Sequence, residues 1–338
     1  MSHLEELVRV AEEAFHRVHG EEIPIAIVGD LILDVAVEGV PGGIHPETNV
    51  ELLKDASVQE SIGGAGNVAL ILARLGVHVT LFGLVGHDLP GRQLSEMLER
   101  QRYESYLVHQ RDWPTPRKEW IYKRDGTNLE PVLRIDYDQP LPGSGRKELL
   151  GEFRARHRRD TRVLVVADHG LGAMGTETGK IIELAQKVGA KVVAIPRTAL
   201  AQYEKADALV PNPTEMRQRM GLHGKGPAKK EADAFAKKYG LTVYLTQGRE
   251  GIYVATTEPK GSHLSPTQSV PNPQKMGARD MALAVVALGL ALELPPADTA
   301  LLANGFATLV VRQRGTGVVH WEDLFRSLGR ETPARLTA

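Results

Sequence analysis

Short β-branched runs alternate with stretches of helical periodicity along most of this chain, and that rhythm leaves few folds open. The runs are Ile25 to Val28, Val79 to Val85, Val163 to Ala167, Val192 to Ile195, Ala208 to Val210 and Val243 to Thr246. Amphipathic stretches lie between them near 66–75, 91–101, 176–189 and 228–239. A strand covered by helices on both faces reads as an unbroken apolar run, because neither side of it meets water. The alternation therefore predicts βαβ units and a doubly wound, mainly parallel α/β sheet. Polar groups follow the runs: Gly29-Asp30, Gly86-His87-Asp88, Asp168-His169-Gly170, Pro196-Arg197, Pro211-Asn212 and Gln247-Gly248. The carboxyl ends of parallel strands share one rim, which is where such sheets bind ligands.

Two segments, 35–62 and 105–138, interrupt the rhythm with short strand-like pieces between Pro-, Gly- and Asn-rich turns. They predict a small β lid over the rim, so that residues 1–338 form one α/β domain with two lid insertions. Residues 1–20 lack the basic start and apolar centre of a secretory signal, and Leu4, Leu7, Val8, Ala11, Ala14, Phe15 and Val18 recur at helical spacing, which predicts a surface helix. The longest apolar run, Met281 to Leu292, has 12 residues, fewer than the roughly 20 that span a bilayer, and predicts a buried helix.

Charge and cysteine content narrow the function classes. With 41 Lys+Arg against 42 Asp+Glu the net charge is −1, so no whole-molecule field attracts nucleic acid or an anionic membrane, and any anion site is local. The absence of cysteine excludes disulfides, thiolate nucleophiles and Cys-ligated zinc, and is compatible with a cytoplasmic setting. The basic run Arg154 to Arg159 has no neighbouring aromatics and reads as a solvated helix end. His16 and His19 share a helix face without a third ligand, so they read as a surface pair rather than a metal site.

Four glycine-rich motifs carry candidate chemistry. Gly170-Leu171-Gly172-Ala173-Met174-Gly175 fits the dinucleotide pattern, but the next strand offers no acidic residue for a ribose, so an ordinary strand-to-helix turn is expected. Gly175 to Lys180 imitates a P-loop with one spacer residue too few and Ile181 in place of the magnesium-binding hydroxyl. Gly63-Gly64-Ala65-Gly66-Asn67 allows close backbone approach to a ligand and sets Asn67 at a helix start facing the rim, either as a ligand or as a simple cap. Gly277-Ala278-Arg279-Asp280 precedes the buried helix, whose free N–H groups and positive dipole end suit an anion. Asp280 is there either to cap the helix or to serve as a base for a nucleophilic hydroxyl.

Taken in order and spacing, these segments resemble the ribokinase-like carbohydrate kinase family, and within it the heptose 7-phosphate kinase domains of ADP-heptose synthesis. The similarity runs from Ile25 to Thr316 and includes Val28 to Asp34, Gly63 to Ala69, Gly83 to Asp88, Pro114 to Lys118, Leu133 to Asp136, Pro211 to Glu215 and Ala303-Asn304. The resemblance implies transfer of the ATP γ-phosphoryl to a sugar or sugar phosphate, with a catalytically impaired, ligand-binding member as the alternative. It implies sugar contacts from Asp34, Gly63, Gly64, Asn67, Lys118, Arg134 and Asp136, and nucleotide contacts from Asn212, Glu215, Thr246, Gly248 and Asn304. Mg2+ would be held through water by Asn212 and Glu215. Asp280 would be the base, and the amides of Gly277, Ala278, Arg279 and Asp280 the anion hole. A homodimer through the lid is a further expectation, since short sheets leave edges and apolar faces to cover.

The chain also departs from the family pattern. Where the family reads D-x-T-G-A-G-D, this sequence has Gln274-Lys275-Met276-Gly277-Ala278-Arg279-Asp280, which removes the Asp and Thr linked to monovalent cations and puts Arg279 in place of a glycine. Ile195 and Leu171 replace an Asp and a Lys of the heptose kinases. Since the backbone of a first helical turn has negative φ, Arg279 leaves the helix intact, and its guanidinium is expected along the phosphate path or out towards solvent.

Overall fold

A computed structural model describes residues 2–126, 128–197, 202–218, 228–257, 263–265, 270, 276–312 and 319–334. The chain opens with α1 (His3–Gly20), started by a capping box between Ser2 and Glu5. There follow β1 (Pro24–Ile44), β2 (Glu51–Gly64), α2 (Ala65–Arg74), β3 (His78–Gly86), α3 (Leu89–Glu99), β4 (Glu104–Gln110), β5 (Arg117–Asp125) and β6 (Asn128–Tyr137). The middle of the chain supplies α4 (Gly143–Arg156), β7 (Val163–Ala167), α5 (Thr178–Lys187), β8 (Lys191–Ile195), β9 (Ala208–Leu209), α6 (Pro213–Gln218), α7 (Ala228–Tyr239) and β10 (Thr242–Thr246). β11 (Ile252–Ala255), β12 (His263–Ser265), α8 (Ala278–Ala291), α9 (Pro296–Arg312) and α10 (Trp321–Ser327) complete it.

The strands join in the order β12-β11-β10-β9-β8-β7-β1-β3-β4, parallel from β10 to β4 and antiparallel at the β11 and β12 edge. β7 and β8 are apolar along almost their whole length because both sheet faces are covered. One face carries α1, α2, α8, α9 and α10, and the other α4, α5 and α7. From Met281 on, α8 is apolar all round, as a helix must be when neighbours enclose it. Each fully buried Leu or Val on it contributes about 1.5–3 kcal/mol relative to exposure. Among the described residues no helix is long and apolar enough to cross a membrane.

β1 joins the core to the lid. Residues Pro24 to Asp30 pair in parallel with β3, and Ile25 to Gly29 with β7. From Leu31 the same strand continues out of the core, antiparallel to β2, and Leu33 to Gly39 pair in parallel with β5. β6 closes the lid along β5. The second lid segment is shorter than expected. Tyr106, Leu107 and Val108 lie on β4, a core edge strand parallel to β3, where Tyr106 stacks on the buried Phe82 at 5.3 Å and Val108 joins the core. Burial against β3 and α4 holds this strand in the main sheet, and the lid resumes only at Arg117.

Candidate active site

Two close approaches build the site. A Cβ on Gly63 would lie 2.2 Å from Asp34 Oδ2, and one on Gly64 the same distance from the Asp30 carbonyl. Gly64 also has φ of 61°, a left-handed conformation that glycine adopts without penalty. The β2–α2 corner therefore presses onto β1, and α2 carries Asn67 towards α8. There Asn67 Nδ2 donates to Asp280 Oδ2 at 2.8 Å.

Asp280 does not cap its helix. The N-cap of α8 is Gly277, at φ 76°, and among the described residues no side-chain cap bond to the first-turn amides is made. Asp280 is instead a half-buried carboxylate turned towards α2 and the lid. Burial pushes its carboxyl above the ordinary carboxylate range, opposed by the Asn67 hydrogen bond and by the positive charges of Arg279 and Lys118. Asp34 faces it across the cleft. Burial pushes Asp34 up to about 7, with Asp280 adding to the rise and Lys118 and Arg134 opposing it. Lys118 is the β5 partner of Asp34 and stands opposite Asp136 on β6. Arg134 forms a two-point pair with Asp136, both bonds at 2.6 Å, and lies over Trp120. The residues expected to bind a sugar phosphate are thus gathered between the lid and the start of α8.

Arg279 is where the expectation fails. Its guanidinium is not turned out to solvent but forms a fork with Glu215, Nη1 to Oε1 at 2.7 Å and Nη2 to Oε2 at 2.6 Å. The reason is electrostatic. Glu215 has a side chain only 4% exposed, and a carboxylate that deep requires a partner. Arg197, at the carboxyl end of β8, adds a second, with Nε 2.8 Å from Glu215 Oε1. Asn212 and Glu215 also close on each other, Asn212 N–H donating to Oε2 at 3.1 Å and Glu215 N–H to Asn212 Oδ1 at 2.9 Å.

The remaining nucleotide candidates stand as follows. Thr246 N–H and Oγ1 both donate to the Pro211 carbonyl, at 2.9 and 3.2 Å, fastening the end of β10 to the Asn212 turn. Gly248 begins a short 3₁₀ turn with φ of 60°. Asn304 donates from α9 to the Ser265 carbonyl and Oγ on β12, so its hydrogen bonds do not reach the Asp280 group. Gln274 and Lys275 lie outside the described residues. The glycine-rich turn at 170–175 holds a carboxylate of the chain itself: the amides of His169, Leu171 and Ala173 donate to the buried Asp30.

Two residues were not read from the sequence as site residues, His169 and Arg197. His169 Nε2 is buried, 4.0 Å from Asp280 Oδ1, with no hydrogen-bond partner among the described residues. Burial, with Lys118, Arg279 and Arg197 nearby, holds it well below the usual histidine value, so it faces Asp280 as a neutral ring. The only signal for either residue was its position just past a strand.

The fold agrees with comparison to known proteins. Residues 25–323 match the model of the pfkB family of carbohydrate kinases. The chain belongs to that family. The bifunctional protein HldE of Psychromonas ingrahamii is 29% identical over 90% of this chain, and that of Shewanella amazonensis 30% identical over 91%. This pfkB chain spans only 63–64% of the length of those two relatives. Escherichia coli phosphofructokinase-2 in complex with potassium superposes with TM-score 0.73 at 16% identity, covering 92% of this chain and all of its own. Arabidopsis thaliana ribokinase complexed with ribose and ATP gives 0.66 at 16%, covering 91% and 99%. The fold of this pfkB member is therefore ribokinase-like, a mainly parallel sheet between helices with a β lid.

Proposed function

We propose that this chain is an ATP-dependent kinase acting on a sugar phosphate of the heptose 7-phosphate kind. The observation that carries the reading is the half-buried Asp280 carboxylate at the first turn of α8, held by Asn67 and opposite Asp34 and Lys118. The acceptor hydroxyl binds at Asp34 and Asn67. Its oxygen forms a bond to the γ-phosphorus while its proton passes to Asp280, and the bond from that phosphorus to ADP breaks. Lys118, Arg134 and Asp136 take the phosphate end of the sugar, and the first amides of α8 face the transferring group. The raised value of Asp280 suits a base, because a stronger base removes a hydroxyl proton more readily.

The similarity to the HldE proteins supports the heptose assignment at the level of 29–30% identity. A dimer through the lid is part of the proposal, supported by the exposed apolar side chains of Ile44, Val58, Val132 and Leu133. A second reading, a member that binds sugar phosphate or nucleotide without turning it over, is favoured by the engagement of Glu215 with Arg279. ADP release from ATP, measured across a panel of hexose and heptose phosphates, separates the two. The kinase reading expects sugar-dependent release, greatest with a 7-phosphate. Release indifferent to sugar, or none, overturns it.

A further inference from the structure

The Glu215 carboxylate is enclosed by two guanidinium groups and an amide of its own chain. A carboxylate offers about four lone-pair positions on its two oxygens. Here three are used, Oε1 accepting from Arg279 Nη1 and Oε2 from Arg279 Nη2 and the Asn212 amide, and Arg197 Nε stands 2.8 Å from Oε1 as an ion pair over the fourth. A water on Mg2+ would have to displace one of these donors or bring a divalent charge up against two guanidinium groups. The expected role of Asn212 and Glu215 in organising Mg2+ thus does not fit the side chains present, and among the described residues no cluster of three acidic or histidine ligands supplies another metal site.

The charge balance points to what replaces it. One divalent cation beside one carboxylate leaves a net charge of +1. Two guanidinium groups beside the same carboxylate leave +1 as well, in the same corner of the rim. We infer that Arg197 and Arg279 take the place of the divalent cation, so that this chain binds the phosphates of its nucleotide without a metal ion. The inference rests on the reading of the α8 start as the phosphate site. Glu215 fixes the Arg279 fork in one orientation, so the cation is organised before the ligand arrives. Arg279 Nε is buried and has no hydrogen-bond acceptor among the described residues, a donor left over for a phosphate oxygen. The first-turn amides of α8, which receive no side-chain cap among the described residues, lie beside it in sequence.

The test is calorimetric titration of ADP, and separately of pyrophosphate, into the full chain in EDTA and again in excess Mg2+. The expected result is binding in EDTA with a Kd within about threefold of that in Mg2+. Arg279→Gly, which returns two acceptor positions of Glu215 to solvent, is expected to weaken ADP binding in EDTA by about tenfold or more, with Mg2+ restoring part of it. Should that variant fail to unfold cooperatively, Arg279→Gln removes the charge while keeping most of the stem. ADP binding by the parent that tightens about tenfold or more with Mg2+ overturns the inference, as does failure of both probes to bind in EDTA, or an Arg279 variant with unchanged affinity there. Sugar-dependent ADP release without metal-free binding sinks this inference and leaves the kinase reading standing. Metal-free binding without turnover does the reverse.

Discussion

Asn67 and Asp280 are joined by one hydrogen bond of 2.8 Å across 213 residues of sequence, and that bond links α2, the lid corner and the start of α8. It favours the ionised form of Asp280 against the pressure of burial. Asn67→Ala is expected to lower kcat/KM by about 10- to 100-fold, the range for losing a bond to a charged group. The acid limb of the pH–rate profile should also move to higher pH, because the proton then binds Asp280 more tightly. A loss of activity with an unmoved acid limb would show that Asn67 only contacts substrate.

Asp34 makes stability depend on pH. Its carboxyl titrates near 7 when folded and near 3.9 when unfolded, so the folded state holds the extra proton between those values. That contribution is fully present below about pH 4 and lost as pH rises through about 7. Asp34→Asn should therefore be more stable than the parent at pH 8, on the order of 2 kcal/mol, with the difference closing towards pH 4. It should also bind sugar phosphate more weakly. Thermal unfolding across pH 4–8 decides, and a difference independent of pH would contradict the assignment.

The core architecture was legible because burial on both sheet faces writes itself as apolar runs, and the strand-end residues marked the rim. Asp280 and Asn67 were legible for a related reason, each standing at the head of an apolar helix. Other features were not. Gly39, Pro41, Gly42 and Gly43 look like turn residues, yet β1 carries them to Ile44 by shifting register after Glu38 and again after Pro41. β4 resembles a lid strand in composition, and only its pairing to β3 puts it in the core. The partner of Arg279 was hidden because Glu215 lies 64 residues away, and no periodicity links α6 to the head of α8.

The Arg279–Glu215 fork is also a structural pair. Glu215→Ala leaves two guanidinium groups without their shared carboxylate and is expected to cost about 3–5 kcal/mol in urea unfolding. Removing Arg279 as well should give back part of that loss, so the double variant is expected to be less destabilised than the sum of the singles. Strict additivity would mean that the pair is not energetically coupled.

Gly63 is required by contact rather than by backbone angle. Gly63→Ala sets a methyl where Asp34 Oδ2 now lies, so the carboxylate must swing away. The expected outcome is a raised KM for the sugar with a smaller change in kcat, and a stability loss of about 1–3 kcal/mol. An unchanged KM would remove Asp34 from the sugar site.

The placement of the chemistry stands or falls on Asp280. Sugar-dependent ADP formation should be compared between the parent and Asp280→Asn, at matched folding by thermal unfolding and with the best sugar phosphate of the panel. The expected result is a fall in kcat of about 10²–10⁴, with ADP affinity changed little, since the variant keeps the shape of the site and loses only the base. An Asp280→Asn protein that turns over as the parent does, or a parent with no sugar-dependent turnover, would contradict it.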